Sequence, residues 1–373
     1  MKNAIYLDYN ATCPIRPEII ELVSSVMTEG GNPSSVHAHG RKARGRVEDA
    51  RRQISKLIDC KPQEIIFTSG GTEANNMALN AVKGCTVMTA LGEHDSVLAP
   101  ANLNNVRDIA CRPNGLIDLE DLKTALEAAQ TQSFVSIMLA NNETGVCQPI
   151  VEIAELVHSL GGLLHTDAIQ AVGKIPVSFR DMGVDMMSVS GHKIGGPQGQ
   201  GALVVREGLV IKPGQIGGGQ ELGRRGGTEN VAGIAGFGLA AEMAGADLHR
   251  YLSVEDLRNT MEAELSDFCS GAVIYGANST RLPNTSCLSM PGVTAELQVM
   301  NFDLAGIAIS AGSACSSGKV KASHVLVAMG ANEIEAGEAI RVSLGRETTR
   351  AEIDRFVEVW KKLYEKKSPR FAA

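Results

Sequence analysis

Ser188-Val189-Ser190-Gly191-His192-Lys193-Ile194-Gly195-Gly196-Pro197-Gln198-Gly199-Gln200-Gly201 closes an apolar run and opens a glycine-rich turn. A lysine at the end of a buried strand, flanked by small residues, is a poor surface charge. Burial lowers a lysine's pKa, and the neutral amine is a nucleophile. Lys193 therefore fits the amine that holds an aldehyde cofactor as a Schiff base, the service pyridoxal phosphate requires.

Working outward, strand-like runs alternate with helical patterns. Residues 64–68 lead to Gly70-Gly71 and a helix from Thr72. A strand at 86–90 precedes His94, and a strand over 134–140 ends at Asn141-Asn142-Glu143-Thr144-Gly145. A helix over 151–159, a strand over 162–167, and strands at 184–189 and 202–205 complete the series. Such alternation predicts an α/β fold with a mostly parallel sheet sandwiched by helices. Ligands in such sheets sit beyond the carboxyl ends of the strands. The pattern breaks within the glycine-rich stretch 217–227, and a long helical region follows over about 230–265. Strands at 285–290, 307–310 and 339–344 then suggest a second, α+β unit, with Thr349-x-x-Glu352 as the capping box of a C-terminal helix. We expect a large domain over 15–252 and a smaller C-terminal domain over 253–373, which also takes in residues 1–14.

The chain has 373 residues and a net charge of −7, which argues against nucleic acid as the main ligand. Residues 41–52 hold six basic side chains, but Val47, Ala50, Ile54, Leu57 and Ile58 recur at helical spacing, so we read an amphipathic helix with a solvated basic face. The start, Met1-Lys2-Asn3-Ala4-Ile5-Tyr6-Leu7-Asp8, has no apolar leader, and no run approaches the roughly 20 apolar residues of a membrane helix. A soluble, cytoplasmic protein without a membrane partner is expected. The eight cysteines, at 13, 60, 85, 111, 147, 269, 287 and 315, include no C-x-x-C pair, so no cysteine-rich metal site is expected and most should be buried and inert. The His37-x-His39 pair lacks an evident third ligand and is given no role.

Ser69-Gly70-Gly71-Thr72-Glu73 joins a strand to a helix. Two glycines allow close approach of an anion to the first helical N–H groups, and Thr72 adds a hydroxyl. Taken alone the turn is equally a plain connection; beside a Schiff-base lysine it reads as a phosphate cup. Asp167 ends its strand, and Gln170 follows. An aspartate there either caps the next helix or keeps a pyridine nitrogen protonated, with Gln170 donating to the ring's phenolic oxygen. His94 suits stacking on a ring and proton transfer, although a lone histidine is more often structural, and His165 and His192 carry the same ambiguity. Cys315 lies in Ser310-Ala311-Gly312-Ser313-Ala314-Cys315-Ser316-Ser317-Gly318, a run of small residues expected to be an exposed loop, where a thiol is a candidate nucleophile or an idle surface cysteine. Arg341, inside an apolar strand, needs an anion: a substrate carboxylate, or a structural Asp or Glu.

Together these residues resemble the cysteine desulfurases, a branch of the class V aminotransferase family of pyridoxal phosphate enzymes. The likeness takes in Tyr6-Leu7-Asp8-Tyr9-Asn10-Ala11-Thr12, Gly31-Asn32-Pro33-Ser34-Ser35, residues 68–75, 141–145, 165–170, 188–201 and 217–230, the Cys315 loop and residues 341–349. It implies the fold type I architecture of pyridoxal phosphate transferases. It also implies that Lys193 carries the cofactor, His94 stacks on its ring, Asp167 partners the ring nitrogen and Gln170 the phenolic oxygen. Asn142 would sit near ring and substrate. Gly71, Thr72, Ser190 and His192 would hold the phosphate, with Thr228 arriving from the second subunit of a homodimer. Arg341 would clamp the carboxylate of L-cysteine. Cys315 would take the sulfur as a persulfide, leaving L-alanine, and pass it to an acceptor protein such as an iron–sulfur scaffold or a tRNA-thiolation protein. The small-residue loop is similar to the branch that supplies iron–sulfur assembly. Two departures are Cys13, where a Thr or another small residue is expected, and a tail that ends soon after Lys367, which puts the usual scaffold contact in doubt.

Two other readings are open from the sequence. One is another class V activity, a selenocysteine lyase or a plain aminotransferase; the Cys315 loop speaks against transamination, which needs no thiol. The other is a non-enzymatic iron–sulfur scaffold, which the scattered cysteines and Lys193 disfavour.

Overall fold

The computed structural model describes residues 4–82, 84–103, 106–314 and 320–367; Cys315 lies outside the described residues. Seven strands form the central sheet, in the order Ile65–Thr68, Gly201–Val205, Met186–Ser190, Leu163–Asp167, Ser133–Ser136, Thr86–Ala90 and Val106–Ile109. Only Gly201–Val205 runs against its neighbours. The others run parallel, and most of their residues are buried, as strands covered on both faces must be.

Two of the expected strands are shorter than read. The run over 134–140 forms a ladder only at Ser133–Ser136. Beyond it the backbone stays bonded, Ile137 N–H to the His165 carbonyl at 3.1 Å and Leu139 N–H to the Asp167 carbonyl at 2.9 Å, while the Glu93 side chain takes Met138 N–H at 2.8 Å, so apolarity continues where the ladder does not. Residues 307–310 split between two sheets: Ile307–Ala308 pairs with Ile5–Tyr6, and Ser310–Ala311 with Ala339–Ser343.

The helical region after residue 230 is two helices, Val231–Asp247 and Tyr251–Phe268, joined by a short 3₁₀ turn. By length and composition Val231–Phe268 is apolar enough to cross a membrane, contrary to the expectation from sequence, yet 56% of its most apolar stretch is buried inside the fold, as in a core helix. In the fold, Val231–Asp247 packs against Ala38–Leu57 and Pro17–Glu29. A Cβ added at Gly238 would lie 2.5 Å from Ala50 Cα, so glycine here lets two helices touch backbone to backbone. Ala38–Leu57 is the expected amphipathic helix, burying Val47, Ala50 and Ile54.

One hydrophobic cluster surrounds the sheet, from Ile19 to Ile234, Phe237 and Leu282. A second joins Leu7 to residues from Val254 to Tyr364, including the stacked pair Phe302–Phe356. The chain's start thus belongs to the second cluster. There Ala339–Ser343 lies between Ser310–Ala311 and Thr285–Ser289, and Thr349 and Glu352 exchange the two bonds of the capping box before Arg350–Lys367.

Candidate active site

The carboxyl ends of the parallel strands converge on a cavity of about 250 Å³. Gly71 and Thr72 follow the strand Ile65–Thr68; His94 follows Thr86–Ala90; Asn142 comes from beyond Ser133–Ser136. Asp167 and Gln170 end Leu163–Asp167, while Ser190, His192 and Lys193 end Met186–Ser190. The fold brings these nine residues to one place. A larger hollow of about 530 Å³, lined by Arg44, Arg51, Glu221, Leu222 and Arg224, contains none of them.

Lys193 donates to the main-chain carbonyls of Asn10 and, at 2.9 Å, Ala11. Burial, reinforced by the nearby Arg341 cation, lowers its amine from an ordinary 10.5 to about 8. A substantial neutral fraction is therefore present near physiological pH, as nucleophilic attack requires.

Asp167 accepts from Asn75 at 2.7 Å and from the Ile169 amide at 2.9 Å. Burial raises the proton affinity of its carboxyl, and those two donors oppose the rise. No helix follows Asp167 directly, so the Ile169 bond caps a turn and not the helix considered for this residue, and it coexists with a position on the cavity wall.

His94 caps the helix Asp95–Ala101: its Nδ1 accepts the Ser96 amide at 3.0 Å. A neutral ring so placed carries its hydrogen on Nε2. His192 contacts Thr12 Oγ1 at 3.1 Å, and burial, with Lys193 adding to it, lowers its pKa to about 4. His165 is structural: fully buried, it bonds Ser136 and Ser188, and burial lowers its pKa to about 3. His37 caps Ala38–Leu57 through the Gly40 amide at 3.3 Å.

The residues fit pyridoxal phosphate. Ser190 Oγ is buried without a partner, which is costly unless a ligand supplies one. It faces the N-terminal turn of Gly71–Ala81, where a Cβ on Gly71 would run into Ile169 and come within 3.6 Å of Ser190 Cβ. Free helical N–H groups beside an unpartnered hydroxyl suit a phosphate.

Two predicted residues, Arg341 and Thr228, do not line this cavity. Arg341 is satisfied within the chain, donating to Asp8 at 2.8 Å and to the Asn142 carbonyl at 3.2 Å, so the structural partner envisaged for it is present. Its Nε remains buried and unpartnered. Thr228 lines a separate hollow with Ser69, Gln200 and Arg225, away from its own chain's Lys193. Cys315 is not described. Its flanks are: Ser313–Ala314 pairs with Val320–Lys321, and beyond them Ser323 donates to Glu143, next to Asn142, at 2.6 Å.

Sequence reasoning gave no role to Asn75, Asn10 or Lys174. Asn10 is a hub whose carbonyl accepts from Lys193 and Gln170, and whose side chain meets Lys174 and Thr285. Lys174 stands four residues after Gln170 inside the apolar run 168–177, a signal that was available. The remaining cysteines are free thiols, and burial raises the pKa of Cys13, Cys60, Cys85, Cys111, Cys147 and Cys287, so few exist as thiolates.

The family model described as Aminotransferase class-V matches residues 5–356. The chain is 40% identical to "Cysteine desulfurase IscS" of Dictyoglomus turgidum, over 98% of this chain and 96% of the relative. It is 42% identical to a cysteine desulfurase of Cereibacter sphaeroides, over 95% and 94%. Among solved structures it resembles a NifS-like protein from Rickettsia africae, with a TM-score of 0.92, 37% identity, and 97% and 100% of the two chains covered.

Proposed function

The chain belongs to the aminotransferase class-V family and is a pyridoxal phosphate-dependent cysteine desulfurase, and we propose that Lys193, Asp167 and Cys315 carry its chemistry. The observation that carries this assignment of residues is a single cavity holding a lysine amine of lowered pKa, a buried carboxylate and an unpartnered serine hydroxyl.

When bound, pyridoxal phosphate supplies an electron sink that allows the bonds around the α-carbon of L-cysteine to be broken. The N-terminal turn at Gly71 and Thr72, with Ser190 and His192, holds its phosphate. Asp167 keeps a proton on its ring nitrogen, and Gln170 donates to its phenolic oxygen. His94 lies against the ring and Asn142 beside the substrate. Arg341 receives the substrate carboxylate by exchanging it for Asp8, and its spare Nε–H completes a two-point contact. Lys193 Nζ takes the α-proton of L-cysteine. Cys315 acts as a thiolate: its sulfur bonds to the substrate sulfur as the Cβ–S bond breaks, and L-alanine leaves once the carbon is protonated. No described cysteine lines the cavity, and the raised thiol pKa values elsewhere favour Cys315 for this role.

The working unit in this proposal is a homodimer in which Thr228 completes the partner's phosphate site. In support, Thr228 does not reach its own cavity, and the neighbouring surface exposes Ile216 at 88% and Leu222 at 80%. Leu222 sits at φ +58°, next to Glu221 at +49°, a turn that the buried Arg51–Glu221 pair holds in place. The acceptor of the persulfide is an iron–sulfur scaffold or a thiolation protein. The location is cytoplasmic, in keeping with free thiols that an oxidising compartment would endanger.

The reaction is tested by incubating the cofactor-loaded protein with L-cysteine and a thiol reductant. Equal amounts of sulfide and L-alanine are expected; pyruvate formation without alanine would overturn the assignment.

A further inference from the structure

Lys174 is buried more deeply than Lys193, with 3% of its surface exposed. Its Nζ donates to Asn10 Oδ1 at 2.7 Å and to Gln170 Oε1 at 2.9 Å, and no described carboxylate forms an ion pair with it. The groups with the largest influence on it are Lys193, Arg341 and the thiols of Cys13 and Cys147. Burial and those cations push its pKa down strongly. A neutral amine has two N–H groups, and two acceptors stand in place for them.

The consequence falls on Gln170. Its Nε2 donates to the Asn10 carbonyl at 3.0 Å, an atom that only accepts, while its Oε1 is taken by Lys174. The amide is thus fixed at both ends. Its second Nε2 hydrogen is left over, and Gln170 lines the cavity that contains Lys193. We propose that Lys174 is a positioning residue: by occupying Oε1 it keeps the nitrogen end of Gln170 available to the phenolic oxygen of pyridoxal phosphate. Without that donor, Oε1 would be a buried acceptor with no partner, at a cost of roughly 1–3 kcal/mol, and the Asn10 carbonyl alone would hold the amide against rotation.

This inference rests on the cofactor site proposed above. A donor at the phenolic oxygen draws off negative charge that otherwise holds a proton on the nitrogen joined to Lys193. Losing the donor raises the pH at which the bound cofactor changes its visible absorbance. In the loaded protein without substrate, Lys174→Met is expected to raise that midpoint by about half a unit to one unit, the scale of one neutral hydrogen bond. Gln170→Ala should raise it similarly, and Lys174→Met should add nothing in the Gln170→Ala background. An unchanged midpoint in a folded, coloured Lys174→Met protein would overturn the proposal. So would a full additional shift in the double variant, because the lysine would then act through its charge. Should Lys174→Met fail to fold, Lys174→Leu is read by the same criteria. A wild-type protein that gains no borohydride-bleachable colour from pyridoxal phosphate would remove the underlying site instead, so the two failures are distinct.

Discussion

Asn75 donates to Asp167 Oδ2 at 2.7 Å, from a helix that leaves the sheet 92 residues earlier in the chain. Asp167 lines the cavity, and the Asn75 bond is one of two that lower its proton affinity against the effect of burial. Asn75→Leu should let the carboxyl take a proton more readily, weakening its hold on a cationic ring. Losing a hydrogen bond to a charged group costs about 1.5–3 kcal/mol, or roughly ten- to a hundredfold in cofactor affinity. Absorbance titration of the apoprotein with pyridoxal phosphate checks this, and an unchanged affinity would contradict it.

Cys315→Ser should keep the cofactor's absorbance and lose sulfide release from L-cysteine in the presence of reductant. Sulfide assays on the loaded variant decide the point, and wild-type turnover would take Cys315 out of the mechanism.

Leu222→Glu places a charge on a side chain that is 80% exposed in the single chain. Light scattering should report a shift from dimer to monomer while circular dichroism stays native. A dimer of unchanged affinity would move the interface elsewhere.

His165 gives the sheet an acid-sensitive element. Its folded pKa, about 3, lies below the ordinary 6.5, so it is neutral in the fold and protonates first in the unfolded chain. It costs nothing above pH 6.5, and its penalty grows as pH falls from there toward 3, where it reaches several kcal/mol. His165→Gln, which keeps polar contacts for Ser136 and Ser188, should lose stability less steeply between about pH 6 and 4. Urea unfolding at stepped pH tests this, with parallel slopes as the contradicting result.

The residues at strand ends were legible because each follows an apolar run by one to a few positions. Lys193, Asp167, Ser190 and His94 could be assigned to one edge of a parallel sheet before any coordinates. Their partners were not, because they come from far along the chain: Asn75 for Asp167, and Asn10, 183 and 160 residues earlier, for Lys193 and Gln170. Arg341 needed an anion on sequence grounds, yet only the fold could show that Asp8 supplies one. The strand over 134–140 was overread because apolarity marks burial and not pairing, and there a side chain, Glu93, takes the Met138 N–H in place of a neighbouring strand. Val231–Phe268 shows the same limit in a helical stretch: much of it is buried in the fold, and it matches a membrane span by length and composition alone.

The most direct test of the account is to reduce the loaded protein with borohydride, digest it, and map the modified peptide by mass spectrometry. The account predicts a single phosphopyridoxyl group on Lys193. Modification of Lys174 or another lysine in its place, or none at all, would contradict it.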